Sequence, residues 1–410
     1  MSHPALPTRT VLALRDFRLF VATRFLAVVA YQMVGVAVGW QVYDLARDPL
    51  QLGYVGLAEF LPAFLFALPA GQAADRFDRR LVLAGCLLGQ WSAALALLVL
   101  AVRPVATVAP IFAVVALTGM SRAFLAPATQ SLLPRLVPLE VFPQAVALSS
   151  TIMKAAMIAG PALGGLLYAW GPAAVYAVAA VLTALAVWSA TRLRARPASP
   201  AGAEAEGLNG LLAGVHYVWS RKDILGAVSL DLFAVLLGGA TALLPLYARD
   251  ILHAGPAGLG LLRGAPSAGA AAMALALALR PLEREAGAKL FAAVAVFGIA
   301  TIAFGLSRSF TVSLVALAVL GAADMVSVVV RQTLVQIRTP DAMRGRVSAV
   351  NWVFIGASNE LGEFESGLTA AWFGAVPAVV LGGIGTLAIA ALWAWRFPEL
   401  RRVDRLGDQP

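Results

Sequence analysis

The chain has 410 residues, of which 60% are hydrophobic and only 13% charged. Soluble domains carry roughly 25% charged residues, so the deficit excludes an ordinary soluble enzyme and points to a polytopic helical membrane protein. The net charge of +9 sits in short loops between apolar runs, with no continuous basic face interleaved with aromatics, which excludes a nucleic-acid surface.

Twelve apolar runs approach the ~20 residues needed to cross a bilayer. They cover 17–44, 52–73, 81–102, 107–127, 142–167, 172–190, 223–248, 257–279, 288–306, 310–335, 346–369 and 375–396. The first is long enough to stay in the membrane, and no removable signal peptide is expected in Met1–Asp16. Between the sixth and seventh runs lies a linker, 191–222. Its Arg196–Glu206 stretch is rich in Pro, Ala and Ser and reads as flexible. Leu208, Leu211, Leu212, Val215 and Val218 then recur at helical spacing, which predicts a short interfacial helix lying flat on the membrane. The expected organisation is a six-helix bundle over 1–190, the linker, a second bundle over 223–396, and a polar, basic tail over 397–410 among headgroups.

Arginine placement orients the chain. Arg76, Arg79 and Arg80, Arg192, Arg194 and Arg196, Arg344 and Arg346, and Arg401, Arg402 and Arg405 fall on one side. The opposite loops hold Arg47, Arg103, Arg249 and Arg308. Basic loops stay inside, so both termini are expected in the cytoplasm. The two halves also repeat. A shift of 202 lays Gln130 on Gln332, Gly160 on Gly362, Gly165 on Gly367 and Trp170 on Trp372; a shift of 204 lays Tyr43 on Tyr247, Gly56 on Gly260 and Pro62 on Pro266.

The second and third runs are separated by Gly71-Gln72-Ala73-Ala74-Asp75-Arg76-Phe77-Asp78-Arg79-Arg80. Charges at this density cannot sit in hydrocarbon. The pattern G-x-x-A-D-R-x-x-R-R resembles the signature loop between helices 2 and 3 of the major facilitator superfamily of secondary transporters. That resemblance implies an all-α polytopic membrane protein with twelve transmembrane helices in two pseudo-symmetric six-helix bundles around a midplane cavity. It also implies a cytoplasmic gate. Gly71 would allow close backbone approach, Asp75 would sit at the N-terminal end of helix 11 near Arg346, and Arg76 or Arg80 would pair with Glu140. A charged topogenic loop is the alternative.

Helix 5 carries Gly160-Pro161-Ala162-Leu163-Gly164-Gly165, which resembles the motif of drug-and-proton antiporters in the superfamily and favours export over import. The glycine that motif has four residues earlier is here Ala156, and close helix packing would also account for these residues. Family architecture makes helices 1, 4, 7 and 10 the cavity lining. They carry Arg24 and Gln32, Arg122, Asp231, and Asp324 with Arg331. Basic groups in the first half and acidic ones in the second would pair across the cleft; fixed ion pairs within each bundle are the alternative. Lys154 lies in helix 5, and Glu59 matches Arg263 across the repeat on the outer side. Helix 11 carries Asn351, Asn359, Glu360, Glu363 and Glu365, and the deepest carboxylate, Glu360, is its proton-site candidate. A water-filled vestibule would explain Glu363 and Glu365.

Cys86, the single cysteine, lies in an apolar run as a packing residue, and His3, His216 and His253 are scattered. No metal constellation, phosphate loop or nucleophile–base set appears, so no enzyme activity, cofactor or metal is expected, and the energy source is an ion gradient. Arg15-Asp16-Phe17-Arg18-Leu19-Phe20, Pro127-Ala128-Thr129-Gln130-Ser131-Leu132-Leu133-Pro134 and Asn359-Glu360-Leu361-Gly362-Glu363-Phe364-Glu365 are similar to the bacterial branch containing the enterobactin exporter and macrolide efflux proteins. The resemblance implies a monomer in a bacterial inner membrane, exporting an amphipathic small molecule in exchange for protons. An importer or facilitator, and a non-transporting receptor or assembly factor, are the rival readings.

Overall fold

The computed structural model describes residues 8–67, 69–70, 73, 77–103, 107–194, 207–280, 282 and 284–404. Helices correspond to all twelve apolar runs. They are α1 (Arg15–Ala46), α2 (Pro49–Leu65), α3 (Arg79–Val102), α4 (Ala109–Leu136), α5 (Phe142–Leu167) and α6 (Pro172–Thr191). After the linker helix Gly207–Ser220 come α7 (Lys222–Leu237), α8 (Gly255–Leu279), α9 (Ala286–Leu306), α10 (Phe310–Arg338), α11 (Asp341–Phe373) and α12 (Ala375–Arg396). Among the described residues there is no strand. Among the described residues ten helices are long and apolar enough to cross a membrane, the seventh counted with the turns that carry it on to Ile251. The other two are α2, described over 17 residues, and α11, whose 33 residues are diluted by asparagines and glutamates.

Two element ends differ from expectation for clear reasons. α4 runs through Pro127 and Pro134 to Leu136, because a helix surrounded by other helices tolerates internal proline. α7 stops at Leu237 rather than near 248. A Cβ on Gly239 would lie 2.7 Å from the Gly362 carbonyl oxygen, so the backbone of α11 approaches where the helix breaks. The chain continues through a 3-10 turn, Ala240–Leu243, and a π-turn, Tyr247–Ile251.

Two compact units result: Met1–Gln41 with Leu61–Ala205, and Val42–Phe60 with Glu206–Pro410. In the first, Phe17, Phe20, Leu83, Leu87, Leu132 and Ala186 form a buried core. α5 lies close on α1, since a Cβ on Gly164 would come within 2.8 Å of the Met33 Cα. In the second, Leu230, Leu290, Val294, Val330 and Leu334 are buried together. α8 and α10 meet through Gly269 and Gly321, where an added Cβ would overlap the backbone at Ala318 or Pro266. Small residues are what bring membrane helices this near, because apolar burial alone gives no preference for protein over lipid.

The linker helix and the tail are more firmly docked than their composition suggests. Val218 is buried with Val347 and Val350 of α11, and the Tyr217 hydroxyl donates to the Arg338 carbonyl at 3.2 Å. Leu212 and Trp219 stay exposed, so only part of the apolar face is available to lipid. Residues 196–206, the expected flexible stretch, lie outside the described residues. The tail after Phe397 buries Leu400 and Val403. Its Asp404 carboxylate accepts from the Glu285 amide at 2.9 Å, at the start of α9, where a helix N-terminus favours negative charge.

Candidate functional site

The most buried charges lie in the second unit. Arg331 on α10 and Asp231 on α7 are 2% and 7% exposed and form an ion pair at 3.0 Å. Asn351 of α11 accepts from the same guanidinium at 2.7 Å, and Ser327, one turn before Arg331, donates to Asp231 at 3.4 Å. Three helices therefore converge on one guanidinium, that of Arg331. Asp231, Ser327 and Asp324 also border a small cavity of ≈ 10 Å³ with Ala234 and Phe297. Removing either member of such a pair strands the other charge, whereas the intact pair roughly offsets its own desolvation. The arrangement is the within-bundle alternative to pairing across the cleft.

The first unit handles charge differently. Arg24 donates to the Ser149 hydroxyl at 2.8 Å and lies over the Phe20 ring at 5.6 Å. Among the described residues no carboxylate lies within ion-pair distance of it. Arg122 donates to the Tyr31 hydroxyl at 2.9 Å with its guanidinium 4.9 Å from that ring. Tyr31 in turn lines a cavity of ≈ 20 Å³ with Gln90, Thr118 and Thr183. Lys154 is half-buried on α5. Gln32 packs against Gly160, and Pro161, Gly164 and Gly165 are buried beside it.

Of the expected gate, Gly71, Asp75 and Arg76 lie outside the described residues. Arg80 does not take Glu140. It pairs with Asp78 at 2.8 Å and donates to the Leu193 carbonyl at 3.2 Å, while Glu140 is exposed. The reason is proximity: Asp78 caps α3 by accepting from the Arg80 amide at 2.9 Å, so the side chain two residues on folds back onto it. The hydrogen bond from Arg80 holds the Asp78 carboxyl below its ordinary range. Arg346 is half-buried with its guanidinium 3.4 Å from the Met343 sulfur. Glu59 on α2, Arg263 on α8 and Glu360 on α11 are half-buried.

Sequence reasoning missed several partners. Ser149, Tyr31 and Ser327 are neutral residues in apolar helices, and only the i, i+4 spacing of Ser327 and Arg331 carried a signal. Asn351 stood out as polar, but its target did not. Where α7 starts and α10 ends, Asp223 binds Arg338 at 2.8 Å and Arg221 at 3.4 Å.

Twelve helices in two units, with ionisable groups held inside both, define a multi-pass membrane transporter fold. The model of the transmembrane secretion effector family matches residues 9–409, and the chain belongs to that family, within the major facilitator superfamily. It is 27% identical over 401 residues to the enterobactin exporter EntS of Shigella boydii, covering 96% of this chain and 94% of that protein. Against EntS of Citrobacter koseri the identity is 27% over 375 residues, covering 90% and 85%. Among solved structures it resembles the nucleoside transporter NupG, with TM-score 0.74, 13% identity and coverage of 93% and 99%. A D-xylose-proton symporter superposes with TM-score 0.70, 14% identity and coverage of 93% and 97%. These structures show the fold alone.

Proposed function

We propose that the protein is a proton-coupled exporter of an amphipathic small molecule of siderophore-like or drug-like character, working as a monomer by alternating access in a bacterial inner membrane with both termini cytoplasmic. The observation that carries the proton coupling is the buried Asp231–Arg331 pair. A proton on Asp231 cancels its attraction for Arg331, which stays held by Asn351, and so loosens α7 from α10. Arg24, Arg122 and Lys154, with Gln32, offer donors to the polar end of a substrate, and Glu360 and Asp324 are further proton-accepting groups. Similarity along the whole chain to exporters supports the outward direction, as does the Gly160-Pro161 motif. Gly71, Asp75 and Arg76 with Arg346 form the inner gate in this reading.

The test is uptake of enterobactin and of a macrolide into inverted vesicles given an acid interior. Accumulation that a protonophore collapses and Asp231→Asn abolishes is the expected result. Uptake confined to right-side-out vesicles would make the protein an importer, and no flux of either compound in either orientation would favour a receptor.

A further inference from the structure

The small cavities of the two units occupy the same place in the repeat. In the first unit, Ala30 and Tyr31 of α1 line the cavity with Gln90 and Ala93 of α3. In the second, Ala234 and Val235 of α7 line it with Val294 and Phe297 of α9. The shift of 204 pairs Ala30 with Ala234, Tyr31 with Val235, Gln90 with Val294 and Ala93 with Phe297. Where α9 offers the hydrocarbon of Val294, α3 offers an amide. The fold therefore closes this place without an amide in one unit, and Gln90 is an addition to the repeat rather than a packing necessity.

Gln90 is 7% exposed, and among the described residues no group donates to its Oε1. Buried polar groups are almost always bonded, because an unpaired one loses its hydration and regains nothing. The walls supply two more oxygens. Thr118 gives its hydroxyl hydrogen to the Val114 carbonyl at 3.2 Å, and Thr183 gives its own to the Ala179 carbonyl at 2.6 Å. A hydroxyl whose hydrogen is committed can only accept from a further partner. The cavity volume is ≈ 20 Å³, above the ~10–15 Å³ that one water needs and far too small for an organic molecule.

We propose that this cavity is a binding site for a single water molecule, which donates one hydrogen to Gln90 Oε1 and the other to the Thr118 or Thr183 oxygen. Three acceptors suit a ligand with two hydrogens to give. An anion would find only oxygens facing it, and a cation would find no carboxylate among the lining residues. The inference goes beyond the transport reading and stands without it. The two meet at Tyr31, which borders the cavity and whose hydroxyl accepts from Arg122. The water thus lies behind the side chain that holds that guanidinium.

The test is X-ray radiolytic footprinting of the purified full chain in detergent. Hydroxyl radicals formed from a bound water modify the side chains beside it, so a residue sealed from bulk solvent reports on water held inside the protein. Leu97 borders the cavity and is 1% exposed, whereas Leu87 on the same helix is 0% exposed and packed in the core. Leu97 is expected to be modified in the parent, and Leu87 to stay at background. Gln90→Val, which copies the second unit, is expected to bring Leu97 down to the Leu87 level. Modification of Leu87 in that variant would mark a chain that has opened, and Gln90→Met, with an unbranched side chain, then takes its place. Neither readout requires transport. Leu97 at background in the parent would overturn the proposal without any variant. Leu97 modification that persists undiminished in the folded variant would overturn it too, because the amide would not be what holds the water.

Discussion

The two units keep their intramembrane charges in opposite ways. The first gives Arg24 and Arg122 hydroxyl and aromatic partners, Ser149 with Phe20 and Tyr31. The second sets a carboxylate against its arginine, Asp231 on Arg331, and closes the set with Asn351 and Ser327. The neutral Ser149 hydroxyl leaves the Arg24 guanidinium's charge uncancelled, whereas the Asp231 carboxylate cancels that of Arg331 and adds a group that titrates. In the proposed mechanism the first unit thus suits substrate recognition and the second suits proton exchange.

The largest effects should come from breaking the second unit's pair. Asp231→Ala or Arg331→Ala alone strands a buried charge and should lower stability by about 3–5 kcal/mol, read as thermal unfolding in detergent. The apolar double replacement Asp231→Leu with Arg331→Met should return close to the parent. Single variants that unfold with the parent would show that the pair opens to water. In the first unit, where packing rather than charge holds the helices, Gly164→Leu drives a side chain into Met33 and should cost about 1–3 kcal/mol. Gly85→Ala, with nothing within 4 Å, is the control and should leave unfolding unmoved. The first unit's charge partners come next: Ser149→Ala and Tyr31→Phe should each cost about 0.5–1.5 kcal/mol. Losses as large as those of Asp231→Ala would erase the contrast between the units.

The smallest effect lies outside the membrane at Asp78. Its native pKa is lowered by Arg80, so the unfolded state binds the proton more readily. The stabilisation is therefore complete above the ordinary aspartate value of ~3.9 and is lost as pH falls through the lower native value. Asp78→Asn should remove that acid-side slope while changing stability at neutral pH by about 1 kcal/mol or less.

The helices are legible in the sequence because a bilayer forces about twenty apolar residues into each crossing. The break in α7 is not legible, since Gly238 and Gly239 look like ordinary small residues in an apolar run and only the approach of α11 makes them a break. For the site, sequence puts Asp231 and Arg331 on helices 7 and 10 but cannot say that they meet, because hydropathy does not record which faces are neighbours. Arg80 shows the same limit: Glu140 and Asp78 are equally acidic, and the cap geometry of α3 decides between them. Leu400 and Val403 are hidden among charges in a tail that reads as solvated, yet they seal the start of α9.

The most direct test of the second unit's role is proton release by the purified, weakly buffered protein on adding enterobactin, corrected for the compound's own ionisation. Release by the parent, and none by an Asp231→Asn variant that still binds the compound, is the predicted result. Equal release from parent and variant would place the exchanging proton elsewhere and contradict the assignment.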